Sequence, residues 1–428
     1  MPAKDSSRGS EAHKSLVNDM NVMIERWSSL LPPAGLVTRP TRAEIVVLLT
    51  GSTGALGAEF LHALVHDSRI GHIYTLNRAP SVVDRQRAAL KLRELDPAVV
   101  SSGKVTSLEG DVSKADLGLD AGILNKLKQS VTHIIHNAWM VRFSAPIQDF
   151  EGYIEGTCEL LKIAASSSNG AQFIYTSSTG VAQLWNTDKF GFAIPEEAHQ
   201  YPEASCVIGY TESKYVMEHI LSRAAQMGHR ASVLRLGQIC GSTITGVWPP
   251  SEWIPIMFKT SYSLGCLPFR NTNLFWVPDN ILAGALLDYV TASEPLPAMM
   301  NFVHPRPSTW GDVLKGISAA LGDIPFVPVS DWVAKLEALL KTATADDYRR
   351  APALKILPVF RSMIEESQGD GSTTALCFTS ENAQRFSATL RNAPPISHSH
   401  ARAWVKYWRK QGFIQMPSEP ITPGQSKL

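Results

Sequence analysis

The chain has 428 residues with 40 Lys plus Arg against 39 Asp plus Glu, a formal charge of 40 − 39 = +1. So even a balance excludes an electrostatically driven binder of nucleic acid or of a membrane surface. Hydrophobic residues make up 44% and charged residues 18%, against roughly 25% charged in ordinary soluble domains, so the chain buries a large core and is not disordered. At about 150 residues per domain the length allows two or three units. No apolar run approaches the ~18 residues needed to span a bilayer, and the opening MPAKDSSRGS lacks the apolar stretch of a secretory signal. The expected location is cytoplasmic. Cys158, Cys206, Cys240, Cys266 and Cys377 show no C-x-x-C pair and no metal spacing, which points to a reducing compartment, idle thiols and no metal site.

Residues 1–40 read as an N-terminal helix and linker. Leu16, Met20, Met23, Ile24, Trp27 and Leu31 follow a helical period that Pro32-Pro33 end, and the helix is expected to pack on the next domain. The unbroken run Ile45-Val46-Val47-Leu48-Leu49 has the composition of a strand covered on both faces. Similar short runs recur at 73–76, 105–108, 133–136, 173–176 and 232–236, with helix-like stretches between them. The pattern predicts an α/β fold, a doubly wound parallel sheet over residues 41–245 that binds a dinucleotide. Beyond Gly246 the text becomes rich in Trp and Pro, so residues 246–428 read as a smaller, mainly helical, substrate-binding lobe. Residues 366–374 and 392–400 read as loops. A closing helix over 400–411, stopped by Gly412, places Trp404, Val405 and Trp408 on one side and Arg402, Lys406 and Lys410 on a solvated face.

The first strand runs into Thr50-Gly51-Ser52-Thr53-Gly54-Ala55-Leu56-Gly57 and then into the apolar-periodic Phe60, Leu61, Leu64 and Val65. A glycine loop between strand and helix brings backbone N–H groups up to a pyrophosphate at the positive helix end. The spacing is G-x-x-G-x-x-G, and its place at the first strand-to-helix turn makes Gly51 to Gly57 a dinucleotide cradle. An NAD site places Asp or Glu about 20 residues beyond the glycines. Counting from Gly57 lands on Asn77, and Arg78 follows. A guanidinium there holds a ribose 2′-phosphate through charge-assisted hydrogen bonds, each worth roughly 1.5–3 kcal/mol. The expected cofactor is therefore NADPH, with Arg85 or Arg87 as a second phosphate contact. Gly110-Asp111-Val112 ends the third strand and Asn137-Ala138 the fourth, both beside the dinucleotide, with Asp111 accepting from the adenine amino group.

Tyr210-Thr211-Glu212-Ser213-Lys214 has the Y-x-x-x-K form, and its i, i+4 spacing puts phenol and ammonium on one helix face. Thr176-Ser177-Ser178-Thr179 sits at the end of the fifth strand, where the sheet's carboxyl edge opens on the cofactor. Ser, Tyr and Lys together suit carbonyl reduction without a metal: hydride adds to the carbonyl carbon, and a nearby donor must stabilise and protonate the oxygen. Tyr210 is the expected donor, its reference pKa near 10 lowered by the charge of Lys214, which also holds the nicotinamide ribose. Ser178 adds a second hydrogen bond, while Ser177 and Thr179 point elsewhere on an extended backbone.

With these motifs the chain resembles the extended short-chain dehydrogenase/reductase family, and within it the thioester reductase domains, over about residues 43–310. Besides the glycine loop, Tyr210 and Lys214, the likeness is carried by Leu76-Asn77-Arg78, His136-Asn137-Ala138-Trp139, residues 209–218, Arg235-Leu236-Gly237-Gln238-Ile239, and Trp248 with Glu252-Trp253-Ile254-Pro255. The tryptophan-rich part is similar to the fungal adenylating reductases. The resemblance implies that Ser178, Tyr210 and Lys214 are the active-site set and that Gly237 and Ile239 join the cofactor contacts. It implies an acyl thioester on the phosphopantetheine arm of a carrier protein, reduced to an aldehyde or, with a second NADPH, to an alcohol. The adenylation and carrier domains that normally lie upstream do not fit this length. The expectation is an excised reductase domain or one acting on its carrier in trans, monomeric by default, with no nucleic-acid or membrane partner. Ser426-Lys427-Leu428 matches the peroxisomal address, so import there is the alternative location. The competing readings are a free-standing extended reductase of a small aldehyde or ketone, and a dinucleotide-sensing regulator, for which a proton donor beside the nicotinamide has no use. The missing acid at position 77 disfavours a nucleotide-sugar epimerase.

Overall fold

The computed structural model describes residues 6–34, 44–368 and 376–415. Its principal strands are β1 (Ile45–Thr50), β2 (Ile70–Asn77), β3 (Val105–Glu109), β4 (His133–His136), β5 (Gln172–Ser178), β6 (Ala231–Leu236) and β7 (Met299–Phe302). They form one sheet in the order β3-β2-β1-β4-β5-β6-β7, and every neighbouring pair is parallel. The order reverses between β1 and β4, the switch point at which an open α/β sheet forms a crevice at the carboxyl ends of its strands. The doubly wound parallel sheet is thus present.

The helices of ten residues or more are α1 (Ser6–Ser28), α2 (Ala55–His66), α3 (Val82–Leu92), α4 (Ala121–Ser130), α5 (Glu151–Ser166), α6 (Gly209–Gln226), α7 (Trp253–Leu264), α8 (Asp279–Val290), α9 (Trp310–Ala320), α10 (Val329–Leu340), α11 (Leu357–Gln368) and α12 (His398–Lys410). Alternation along the strands sends side chains into two separate cores. Leu48, Ile134, Phe173, Tyr175 and Val233 belong to one; Val47, Leu49, Ile135, Ile174 and Leu234 belong to the other. Both faces are dry, which is why the strands read as unbroken apolar runs. Helix α1 adds Met20, Met23, Ile24 and Trp27 to the first core and packs along α6, as its period predicts.

Two compact units result. The first holds the described residues up to Cys240 together with Phe275–Arg306 and Leu376–Pro394; the second holds 241–274, 307–368 and 395–415. The expected continuous lobe over 246–428 is therefore interleaved with the sheet unit. Residues 275–306 carry α8 and β7, and β7 pairs with β6 from Met299 opposite Val233 to Phe302 opposite Leu236. This strand escapes sequence reading because Met299-Met300-Asn301-Phe302 contains no β-branched residue and is broken by an asparagine. Residues 376–394 return to pair Cys377–Phe378 with Ala193–Ile194.

In the second unit Trp248, Trp310, Trp332, Trp404 and Trp408 are core. Trp248 packs on Trp404 at 4.8 Å and Trp408 at 5.9 Å between ring centroids, and the Trp408 indole N–H donates to the Trp248 carbonyl at 2.9 Å. Val405 is buried with them, whereas Arg402, Lys406 and Lys410 are exposed. Helix α12 begins inside the stretch expected as a loop at 392–400, and α11 runs on to Gln368, into the loop expected at 366–374, the rest of which lies outside the described residues. Ser426-Lys427-Leu428 also lies outside them. Among the described residues no helix is long and apolar enough to cross a membrane, and no cluster of His, Cys, Asp or Glu fits a metal ion.

A buried cation ties α2 to α8. Arg93, 4% exposed, donates from Nη1 to Asp279 at 2.9 Å and to Glu59 at 3.3 Å. Without it two carboxylates stay buried and lose their shared cation. Arg93→Ala is expected to destabilise the fold by about 3–5 kcal/mol, read as a fall in the urea midpoint; a loss below about 1 kcal/mol would show that water reaches both acids.

Candidate active site

At the end of β1 the chain turns through Gly51 at φ +78°, a conformation that costs L residues a steric clash and glycine none. A Cβ there would also lie 3.0 Å from the backbone of Ala138. A Cβ on Gly57 would lie 2.2 Å from the Gly51 carbonyl oxygen, so the first turn of α2 packs directly on the loop. Gly54 is the N-cap of α2 and no side chain caps that end. The N–H groups of Ala55, Leu56 and Gly57 therefore face outward at the positive end of the helix. That is the geometry a pyrophosphate requires.

Below the loop lies a buried polar network. Asn77 donates to Ser52 Oγ at 2.9 Å and accepts from the Thr53 N–H at 3.1 Å, which makes it a brace of the loop rather than a free ribose contact. Gln86 donates from Nε2 to Ser52 Oγ at 2.7 Å and Thr75 Oγ1 at 2.8 Å, and its Oε1 accepts from Ser107 Oγ at 3.0 Å. Gln86 belongs to no local motif, because its role depends on two strands and a loop meeting around it. Arg78 extends exposed from the end of β2. Arg85 donates to the carbonyl of Arg78 and so stands at the same corner, while Arg87 turns to Ser101 at 2.9 Å and Asp84 at 3.5 Å. Asp111 Oδ1 accepts the N–H and hydroxyl of Ser113 at 3.0 and 2.8 Å, and Val112 is buried beside it.

Across the switch point the backbone of Asn137 and Ala138 is pinned by Thr50, whose Oγ1 accepts their N–H groups at 3.1 and 2.9 Å. The Thr50 hydroxyl lies 2.8 Å from His136 Nδ1, and His136 Nε2 lies 2.9 Å from Thr157 Oγ1. Burial, with the Lys214 charge adding to it, pushes the His136 imidazole down to about 3; a neutral ring with its proton on Nε2 satisfies the whole chain.

The candidate catalytic set comes together at the end of β5. Helix α6 begins at Gly209, where a Cβ would lie 2.4 Å from the Ala145 carbonyl oxygen and 2.6 Å from the Ile147 nitrogen. The absent side chain lets the helix start press on residues 145–147 and sets Tyr210 beside Ser178. Ser178 Oγ accepts the Gly180 N–H at 3.1 Å, and the Ser178 hydroxyl favours the ionised form of the Tyr210 phenol. Phe143 meets the Tyr210 ring edge-on at 6.1 Å. Lys214, 2% exposed, donates to the Thr176 carbonyl at 2.7 Å, with its Nζ 4.4 Å from the Trp139 ring centroid, 4.5 Å from that of Tyr175 and 5.6 Å from that of Tyr210. Ser177 points the other way, to Glu218 Oε1 at 2.5 Å.

One electrostatic expectation is corrected. The Tyr210 phenol is not lowered by Lys214: burial pushes it up to about 12, opposed by the hydrogen bond from Ser178. Burial also drives the Lys214 ammonium well below its ordinary range, opposed by the charge of Glu218. Desolvation outweighs pairing at both groups because the crevice floor is aromatic and dry.

Next to Thr179 a recess of about 120 Å³ is lined by Gly237, Gln238, Phe275, Trp276, Val303 and Phe378. Gly237 N–H donates to the Phe302 carbonyl at 3.0 Å, and Ile239 pairs with Val277. The carboxyl edge thus carries a glycine turn at the start of α2, Tyr210 and Ser178 beside each other with the buried Lys214 one helical turn on, and a largely apolar hollow next to Thr179.

Among known proteins, the chain is 37% identical over 390 residues to the adenylate-forming reductase Nps11 of Serpula lacrymans, which covers 86% of this chain and 35% of that protein. It is 28% identical over 425 residues to a carboxylic acid reductase of Neurospora crassa, covering 95% and 39%. The chain therefore spans between a third and two fifths of the length of these relatives. Of solved structures, the terminal R domain from the myxalamid PKS-NRPS pathway superposes with a TM-score of 0.79 at 22% identity, covering 93% of this chain and 99% of that one. A thiolation-reductase di-domain from an archaeal non-ribosomal peptide synthetase gives 0.68 at 16%, covering 92% and 81%; both show the shared fold. Residues 49–286, more than half of the chain, match the NAD-binding family described as male sterility protein, and the chain belongs to that family.

Proposed function

We propose that this chain is a reductase that uses NADPH to release an acyl group from a phosphopantetheine thioester as an aldehyde. The observation that carries the reading is the meeting of Ser178, Tyr210 and Lys214 at the carboxyl edge of β5, in the same crevice as the glycine cradle. The cradle suits a dinucleotide: Gly51 and Gly57 leave the space that a Cβ would fill, and three N–H groups point out of it. When bound, the nicotinamide supplies hydride to the acyl carbon.

The protein's own groups manage the charge. As the acyl oxygen becomes an oxyanion, the Tyr210 phenol and the Ser178 hydroxyl donate to it. A phenol held near 12 keeps its proton at neutral pH and gives it up only to a strong base such as that oxygen. Collapse of the resulting hemithioacetal expels the pantetheine thiol and leaves the aldehyde. Lys214 keeps a positive charge under the site and holds the nicotinamide ribose. The apolar recess beside Thr179 receives the acyl chain and keeps water from the reacting carbon.

Preference for NADPH over NADH rests on the corner after β2. Asn77 is spent on the loop and is itself no carboxylate, and the exposed Arg78 with Arg85 at its back presents positive charge for a ribose 2′-phosphate. The acyl group arrives on a carrier domain, joined to this one or separate; one of the fold's solved relatives is itself a thiolation-reductase di-domain. The substrate-binding role assigned to the second unit and the monomeric state belong to the same proposal. So does a cytoplasmic setting, with peroxisomal import through residues 426–428 as its alternative.

Incubation with NADPH and acetyl-, octanoyl- and benzoyl-pantetheine should consume cofactor, release free thiol and yield the aldehyde or alcohol; turnover of simple aldehydes with no thiol released from any thioester would replace this reading by a small-carbonyl reductase. Tyr210→Phe should lower turnover by roughly 10² to 10⁴ with NADPH affinity retained, and full activity would move the proton donor elsewhere. Arg78→Ala should weaken NADPH by about tenfold or more and leave NADH nearly unchanged, measured by cofactor fluorescence. Equal effects on both dinucleotides would remove Arg78 from the phosphate site.

A further inference from the structure

Lys214 is surrounded by groups that carry no charge. From β5 it is faced by the Thr176 carbonyl and the Tyr175 ring, from β4 and the turn after it by His136 and Trp139, and from one turn earlier on its own helix by Tyr210. His136 is held neutral, and burial raises both phenols. The exception is Glu218, at i+4 on α6, on the same helix face one turn on. It is 1% exposed.

Glu218 is held by two residues through three hydrogen bonds. Its Oε1 accepts from Ser177 Oγ at 2.5 Å and from Arg235 Nε at 3.2 Å, and its Oε2 from Arg235 Nη2 at 2.5 Å. Arg235 on β6 is fully buried and also donates to Asn301 Oδ1 on β7 at 3.0 Å and to the Pro195 and Glu197 carbonyls at 3.2 and 3.1 Å. Asn301 in turn donates to the carbonyls of Ile194 and Thr379. His199 and His219 stand near the pair, and burial lowers both imidazoles. The carboxylate therefore cannot swing toward Lys214 to form a contact ion pair. It acts at a fixed distance while its other bonds anchor Ser177, the neighbour of Ser178.

We infer that Glu218 is a positioning residue: fixed by Arg235 and Ser177, its carboxylate keeps the Lys214 ammonium protonated in a dry site and holds the strand end that presents Ser178. The inference rests on the reading of Lys214 as part of the catalytic set. Of the two members of the buried pair, the carboxylate is the one whose charge favours the ammonium: Glu218 opposes its deprotonation, whereas a cation such as Arg235 can only favour it. Removing the carboxylate charge makes the ammonium easier to deprotonate, so Lys214 loses its proton at lower pH; removing Arg235 alone does not.

Lysine-selective nitrogen-15 NMR of the full chain over a pH titration reads this directly, with the Lys214 signal assigned by its loss in Lys214→Met. In Glu218→Gln the midpoint should fall by about one pH unit or more, and a smaller fall in the same direction is expected in Glu218→Gln/Arg235→Gln, where the opposing charge of Arg235 is removed as well and no lone buried charge is left if the single variant fails to fold. Arg235→Gln should show no fall. An unchanged midpoint in the double variant, or an equal fall in Arg235→Gln, overturns the inference. Turnover of acyl-pantetheines by Lys214→Met is the separate control: full activity there overturns the catalytic reading of the lysine and leaves the titration result standing.

Discussion

A parallel sheet covered on both faces leaves polar chemistry one place to stand, the carboxyl ends of its strands. Along β1, β4 and β5 the interior is Val, Leu, Ile and Phe, where an unpaired polar group costs several kcal/mol. At the last residues the composition changes to Thr50, Asn77, His136 and Thr176-Ser177-Ser178. All but Ser177, which turns to Glu218 on α6, bond to the next strand's end or to the loop above it, so the site is assembled largely by the register of the sheet itself. Slippage of one strand by one residue would turn these groups into the wrong layer.

The same dryness governs the acids and bases. His136, Tyr210 and Lys214 are all displaced toward their neutral forms by burial. For the phenol that suits a proton donor. For the lysine it works against the charge the site needs, and that opposition gives a fully buried carboxylate one turn away a reason to exist. A buried ion pair contributes little to stability in general because desolvation offsets the attraction; Glu218 and Arg235 are better understood as fixing where charge lies and how three strands end.

Much of this was legible in the residues. Six strands and their order of chemistry follow from β-branched runs separated by helical periods, and the glycine spacing and the Tyr210 to Lys214 interval mark the two halves of the site. What could not be read has common physical causes. Asn77 and Gln86 brace the phosphate loop through side chains that meet only once the sheet is formed, and neither belongs to a local pattern. The fall in Lys214 and rise in Tyr210 depend on Trp139 and Tyr175 closing over the ammonium, a burial that sequence spacing does not encode. Strand β7 is short, methionine-rich and separated from β6 by more than sixty residues, so it lacks both the composition and the proximity by which the others announce themselves. The interleaving of the two units escapes with it and with the equally short pairing of Cys377–Phe378.

The late arrival of β7 also bears on how the protein is made. As the chain leaves the ribosome, β6 is complete by residue 236, yet its outer edge finds its partner only when residue 302 has been synthesised. Throughout that interval an apolar strand with unpaired N–H and C=O groups is open to aggregation. Shortened versions of this domain that stop near residue 245, and chimaeras that exchange everything beyond that point as one block, carry the same open edge permanently. Any useful graft has to keep residues 275–306 with the sheet they complete.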